Sequence, residues 1–292
     1  MRLYQIADLE RHTGIKAHTI RIWEKRYNLI EPDRTSTNYR RYNDAQLRKL
    51  LNVSTLLKAG YKISQIAALN EKELFKKITE NQSGLNHTII TTTFINDLLT
   101  AILSYNESAF EKSYASVVTR LGIFDAMITV FYPLLQKIGM MWTINDVDPA
   151  QEHFASCLLK RKIMAATDGL PMCKKRKKKF LLVLIPGEFH DISLLFANYI
   201  IKSKGYETVF LGQDVPYENI ALALKQTRCN YVLTFFTVAE DPRKVYNELK
   251  KHSILTKNVT FLASGNPSIT EHLKLKLSAE VLKKPDDLFL FL

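Results

Sequence analysis

The chain has 292 residues, enough for two or three domains with ordinary cores. Its formal charge of +12 and pI near 9.4 point to a polyanionic partner. Cys157, Cys173 and Cys229 lie far apart with no CxxC, which excludes a disulfide framework and a structural zinc site, and the N-terminus MRLYQIADLER has no apolar signal core. No run approaches about 18 apolar residues, so the expectation is a soluble, cytoplasmic protein with no membrane partner.

The charge is uneven. Residues 1–77 hold 16 Lys and Arg against 8 Asp and Glu, a net +8 of the chain's +12. Tyr4 to Leu9 carries apolar residues at helical spacing, and Thr13-Gly14-Ile15 breaks it. A second helix from about His18 to Tyr27 sets Ile20, Ile22 and Trp23 on one side and Arg21, Lys25 and Arg26 elsewhere. Two short helices joined by a Gly-containing turn form a helix-turn-helix whose second helix enters the major groove. After Pro32, the turn residues Ser36, Thr37 and Asn38 precede Tyr39-Arg40-Arg41-Tyr42, a small hairpin or wing. Asn43 or Asp44 can cap the next helix, which carries Leu47, Leu50, Leu51, Val53, Leu56 and Leu57 and ends at Gly60. A last short helix runs from Ile63 to Leu69, started by Ser64 or the turn before it.

This order of parts resembles the MerR family of bacterial regulators. The residues that carry it are Ile6-Ala7, Thr13-Gly14-Ile15, Thr19 to Glu24, Leu29-Ile30-Glu31-Pro32, Tyr39 to Tyr42 and Gly60-Tyr61. The resemblance implies binding of double-stranded operator DNA as a dimer, with the DNA bent or undertwisted. By position, His18, Thr19, Arg21 and Arg26 would face DNA, and Arg40, Arg41 and Tyr42 would contact its backbone.

The polar stretch 78–91, with Ser83-Gly84, reads as a linker after a first domain at 1–77. Four helical stretches between 92 and 172 suggest a four-helix bundle. Phe94 to Leu103 is amphipathic. Ser108-Ala109-Phe110-Glu111 reads as a capping box, and Gly122 separates that helix from Ile123 to Met141, itself interrupted by Pro133. Asp148-Pro149-Ala150-Gln151 opens the fourth helix with Asp as cap and Pro at the first position. The spacing Trp142, nine residues, Glu152-His153 puts an aromatic, a carboxylate and an imidazole at one end of the bundle. From the residues alone, a core tryptophan with two surface polar groups is the favoured reading.

From 178 to 292, short apolar runs alternate with helical patterns. Strands are expected near 180–185, 207–211, 230–236 and 258–263, with a weaker fifth near 279–282. Helices are expected near 191–204, 217–227, 241–252 and 268–276. This alternation predicts a doubly wound parallel sheet of flavodoxin-like or Rossmann-like kind. Glu188-Phe189-His190 follows the first strand, where such sheets bind ligands. Alone, His190 could be structural, and Asp191 could cap the next helix. GxGxxG, P-loop and Ser-His-Asp elbow patterns are absent. The basic run Lys174 to Lys179 reads as a solvated linker.

A bundle with Trp-x9-Glu-His followed by Glu-x-His-x-x-Ser in an α/β domain resembles the cobalamin-binding module. With the front end, the whole chain is similar to the CarH, CarA and LitR group of light-responsive repressors. The resemblance implies His190 as lower axial ligand of cobalt, with Glu188 or Asp191 orienting it. It implies Trp142 and Glu152 against the adenosyl group of adenosylcobalamin, and His153 as a possible upper ligand after photolysis. Ser193, Thr234, Ser264 and Gly265 would lie by the nucleotide tail. The family has glycine at the positions of Ser193 and Ser264, and Phe235-Phe236 are bulky; each narrows the tail channel. The implied function is a repressor, not an enzyme, whose homo-oligomerisation to a dimer or tetramer and operator binding follow cobalamin and light. Two alternatives stand beside it: a cobalamin-independent regulator whose C-terminal half oligomerises or binds a protein, and a corrinoid enzyme component.

Overall fold

The computed structural model describes residues 3–34, 38–69, 73, 84–143, 147–172, 178–238, 240–254, 259–277 and 279–292. Ser36 and Thr37 of the expected turn, 78–83 of the expected linker and Lys174 to Lys177 of the basic run lie outside them. The chain divides into two compact units, Met1–Ser156 and Cys157–Leu292.

In the first unit, α1 (Ile6–Thr13) ends at Gly14, whose φ of 72° is the left-handed conformation that a Cβ disfavours. Then come α2 (Ala17–Tyr27) and the antiparallel wing, β1 (Asp33–Arg34) with β2 (Arg40–Arg41). A bridge between Tyr4 and Tyr42 fastens the wing to the N-terminal segment. The Asn43 side chain caps α3 (Asp44–Lys58) by accepting from the Gln46 amide, and Gln46 returns the bond. Leu9, Ile20, Leu47, Leu50 and Val53 close a small core. At about 1.5–3 kcal/mol per buried aliphatic side chain, that core is what holds α1 against both α2 and α3. In α4 (Ile63–Ala67) Lys62 occupies the cap position, so Ser64 does not start it.

The bundle begins earlier than its sequence suggests. Residues 84–91, read as linker, are the first turns of α5 (Gly84–Leu103). Ile89 is buried, and α5 packs on α3 as well as on the next helix; an apolar face shared by two neighbours overrides the polar local composition. Asn106, not Ser108, caps α6 (Glu107–Ala126) by accepting from the Ala109 amide. Gly122 has φ 73° and ψ 166°, so the helical path breaks where expected. A π-helical turn, Met127–Phe131, then leads into α7 (Tyr132–Thr143). Pro133 sits just past it, and the wider turn accommodates a ring that has no N–H to donate. By length and composition Glu107–Thr143 could cross a bilayer. Its Val117, Met127, Val130, Phe131, Leu134 and Ile138 are instead buried within the protein. The expected Asp148 cap opens α8 (Pro149–Asp168), accepting from the Gln151 amide at 2.7 Å. Buried Gln151 also donates to the Leu103 carbonyl at 2.8 Å, which pins α8 to the end of α5.

The second unit carries a parallel sheet in the order β4-β3-β5-β6-β7. Its strands are β3 (Lys179–Val183), β4 (Glu207–Gly212), β5 (Tyr231–Phe236), β6 (Thr260–Gly265) and β7 (Glu280–Leu282). Helices α9 (Ile192–Ser203), α10 (Tyr217–Thr227), α11 (Pro242–Lys251) and α12 (Pro267–Leu277) make the crossovers, and a 3-10 turn, Pro285–Phe291, follows. This is the flavodoxin-like order. The unbroken apolar run has its cause here: β3 is interior, so Phe180 to Ile185 are buried on both faces. On one face Leu181, Val183, Val232, Phe236, Phe261 and Ala263 form a core with Ile220, Leu224, Val245, Leu249, Ile269 and Leu273.

Candidate functional site

The chain passes from β3 to β4 on one side and then crosses back to β5 on the other side of β3. The carboxyl ends of β3 and β5 therefore flank the topological switch point, where doubly wound sheets bind ligands. Glu188 lies there with its side chain only 4% exposed. Its Oε2 accepts from the backbone amides of Thr237 (2.6 Å) and Val238 (2.9 Å), just past β5. Its Oε1 accepts from the His190 amide at 3.0 Å and lies 2.7 Å from His190 Nδ1. Asp214, after β4, accepts from the Gly187 amide at 2.9 Å. One buried carboxylate thus joins two loops, and a third loop braces them.

Burial alone would raise the Glu188 pKa. The hydrogen bonds from Val238, His190 and Thr237 outweigh it and hold the carboxyl below the usual range. An ionised carboxylate can only accept, so His190 Nδ1 is the donor in this contact, and the neutral imidazole so held carries its lone pair on Nε2. The His190 side chain is 61% exposed. An imidazole with its tautomer set by a carboxylate is a preorganised ligand for a transition metal.

Asp191 behaves otherwise than expected. It occupies the cap position of α9 but makes no side-chain cap bond. Its carboxylate instead meets Lys160 Nζ at 2.6 Å. An ammonium at that distance binds a carboxylate more strongly than a neutral amide does.

Farther along the same edge, the register pairs Thr234 with Ala263, Phe235 with Ser264 and Phe236 with Gly265. Gly265 has φ 109°, and a Cβ there would lie 2.1 Å from the Phe236 carbonyl oxygen. Only glycine fits. The Ser264 hydroxyl donates to the Leu282 carbonyl at 2.8 Å, so it is turned toward β7. The Thr234 hydroxyl is buried with no hydrogen-bond partner among the described residues. Phe236 belongs to the apolar core. The narrowing expected from Phe235-Phe236 therefore falls to half-buried Phe235 alone, while Ser193 sits half-buried in the first turn of α9.

In the first unit, Trp142 near the end of α7 is 52% exposed, so it is not the core tryptophan the residues alone allowed. Glu152 lies in the first turns of α8. Its Oε2 is 2.9 Å from His153 Nδ1, and its Oε1 accepts from the Ser156 hydroxyl at 3.0 Å. The pair repeats, on a helix, the carboxylate–imidazole contact of Glu188 and His190.

At the opposite end of the sequence, α2 buries Ile20 and Trp23 and exposes His18, Arg21, Lys25 and Arg26, with Thr19 half-exposed. Arg26 lies over the Tyr27 ring at 5.3 Å. Arg40 and Arg41 are half-exposed on the wing. Tyr42 is a correction: it is 0% exposed, and its hydroxyl donates to Glu24 Oε1 at 2.5 Å. Burial, with the carboxylate beside it, keeps the phenol neutral far above its ordinary range. Tyr42 is a core residue, not a phosphate contact. Glu24 also accepts from Arg40 Nε at 3.1 Å, so it ties the wing to α2. Sequence reasoning counted Glu24 among the residues carrying the resemblance but gave it no role, because its partners are 16 and 18 residues away.

These features define a helix-turn-helix regulator joined to a corrinoid-type module. Residues 4–73 match the family model for MerR HTH family regulatory proteins, and residues 94–166 match that for the B12 binding domain. The chain is 26% identical over 234 residues to the HTH-type transcriptional repressor CarH of Myxococcus xanthus, covering 79% of this chain and 78% of that protein. It is 25% identical over 291 residues to the repressor CarA of the same organism, covering 97% and 94%. Among solved structures, the monomethylamine corrinoid protein of Methanosarcina barkeri superposes with TM-score 0.54 at 16% identity over 67% of this chain and 94% of that one. That last likeness shows the fold. The chain carries a MerR-type helix-turn-helix and a B12-binding domain, and is homologous to the CarH and CarA repressors.

Proposed function

We propose that this protein is a cytoplasmic transcriptional repressor whose oligomerisation and operator binding are controlled by adenosylcobalamin and light, and that it is not an enzyme. The observation that carries the reading is His190, held through Nδ1 on buried Glu188 with Nε2 left to solvent at the switch point. In that arrangement the His190 imidazole would hold the cobalt of a bound corrinoid. The unpartnered Thr234 hydroxyl and the glycine-only position Gly265, on the same edge, fit a polar tail lying along the strand ends. Bound adenosylcobalamin supplies a cobalt–carbon bond that light can break.

The chain's own residues do the rest. Glu188 holds the Nδ1 proton and orients His190. Exposed Trp142 would shield the bound cofactor from water, Glu152 would orient its adenosyl group, and His153 would be available as a further ligand once that group has left. In the first unit, His18, Thr19, Arg21 and Arg26 read the operator while Arg40 and Arg41 meet phosphates. Dimers or tetramers align two or more such helices on one DNA, and the ligand biases that assembly. Mixed with adenosylcobalamin in the dark, the purified chain should gain a corrinoid spectrum with histidine in place of the cofactor's own base. His190→Ala should lose that signature, and green light should dissociate the wild-type oligomer and release the operator. An unchanged spectrum on mixing would end the reading.

One observation favours a second reading, a cobalamin-independent regulator whose second unit serves oligomerisation or partner binding. Ser264 carries a Cβ, closes its hydroxyl on Leu282 and stands beside half-buried Phe235, all of which crowd the tail position. That reading predicts operator binding and oligomeric state indifferent to cobalamin and light.

A further inference from the structure

The first unit holds a cavity of about 570 Å³ far along the chain from the histidine loop. That volume lies within the range of small-molecule sites, roughly 300–1,000 Å³. Its walls come from α1 (His12, Thr13), α3 (Ser54, Thr55, Lys58), α5 (Thr88, Thr92, Asn96) and α7 (Lys137). Two lysines and a histidine line it, and no carboxylate does. Five hydroxyls (Thr13, Ser54, Thr55, Thr88, Thr92), the Asn96 amide and the apolar Leu51, Ala59 and Ile89 complete the lining.

The wall is ordered by a polar network that crosses three helices. Asn96, 2% exposed, donates from Nδ2 to Asn52 Oδ1 at 3.2 Å and Thr55 Oγ1 at 3.1 Å. Its Oδ1 accepts from Lys137 Nζ at 3.3 Å. Lys137 carries three N–H donors, and this amide takes one of them. Among the described residues, neither Lys137 nor Lys58 forms an ion pair with a carboxylate. Burial pulls the Lys137 pKa below its ordinary value, and the Lys58 charge pulls it further. Half-buried Lys137 and exposed Lys58 therefore both line this space without a carboxylate partner among the described residues, and the burial of the Lys137 charge is costly unless an anion meets it.

We propose that this cavity is a binding site for a small organic anion bearing carboxylate or phosphate groups, held by Lys58 and Lys137. Its walls belong both to α1, which packs on the recognition helix α2 and on α3, and to the bundle helices α5 and α7. An anion here clamps α3 to α5 and α7, and so supplies a second input to DNA binding, independent of the cobalt site.

The test uses the full chain at matched ionic strength, with citrate and pyrophosphate as probes and calorimetry as readout. The expected result is saturable millimolar or tighter binding of at least one probe. Preference between the two shows whether carboxylate or phosphate is the group recognised. Lys137→Met should weaken that binding roughly tenfold or more, the loss of one charge-assisted hydrogen bond. Lys58→Glu, at an exposed position, should abolish it, with the unfolding midpoint measured alongside to show that the fold is kept. Both should leave the spectrum with adenosylcobalamin unchanged, which separates this site from the histidine loop. No saturable binding of either probe, or equal affinity in wild type and Lys58→Glu, overturns the proposal.

Discussion

Glu24 and Glu188 are the same device in two regions of the molecule, used to opposite ends. Each is a nearly buried carboxylate that gathers donors from distant stretches of chain. Glu24 accepts only from side chains, Arg40 and Tyr42, and so fastens the wing to α2. In doing so it consumes part of the charge that the wing presents. Glu188 accepts from three backbone amides and one imidazole, and leaves the reactive nitrogen outward. A carboxylate that binds side chains holds elements together. One that binds amides makes a rigid platform for a ligand atom.

That difference can be broken experimentally. Glu188→Ala should have the largest effect, because it strands three backbone N–H groups. At about 1–3 kcal/mol for each buried donor left unpaired, a loss of about 3 kcal/mol or more is expected in urea unfolding of the second unit. Glu24→Ala should cost less, about 1–2 kcal/mol, since Arg40 can turn to water. Equal losses would show that the two carboxylates are equivalent after all.

Smaller effects sharpen the contrast. Tyr42→Phe should reduce stability by about 1 kcal/mol, through loss of one buried hydrogen bond. It should leave the salt dependence of operator binding unchanged. Arg41→Ala should do the reverse, keeping stability and reducing the salt slope by about one unit for the lost phosphate contact. A changed slope in Tyr42→Phe would return Tyr42 to the DNA interface.

The pH dependence follows from the lowered pKa of Glu188. In the unfolded chain this carboxyl titrates near about 4.3. Its contribution to stability is therefore complete above that value and is lost as pH falls through the lower folded pKa. Glu188→Gln should lack this acid-limb decline in a denaturation series from neutral to acid pH, whereas Glu152→Gln should keep it.

Much of the architecture could be read from residue order. The helix-turn-helix, the wing and five parallel strands stood within a few residues of their expected places. The Asp148 cap and the Gly122 break also stood as read. Each rests on spacing, turn chemistry or an apolar run within some twenty residues. The start of α5 was hidden because residues 84–91 look polar, and only packing on α3 shows why they are helical. The cap of α6 was misplaced by two positions, since Asn106 and Ser108 are both competent and the helix can start from either.

The sequence by itself determined which elements form and in what order, because periodicity and caps act between near neighbours. It also singled out His190, Trp142 and Glu152-His153 by spacing. Only the tertiary structure decided what these side chains touch. Tyr42 is buried because a bridge to Tyr4 turns it inward. Asp191 leaves its helix for Lys160, 31 residues earlier. Glu188 meets amides about 50 residues away. Such contacts have no local signature, because each is made by the closing of the fold and costs chain entropy that only the whole core can offset.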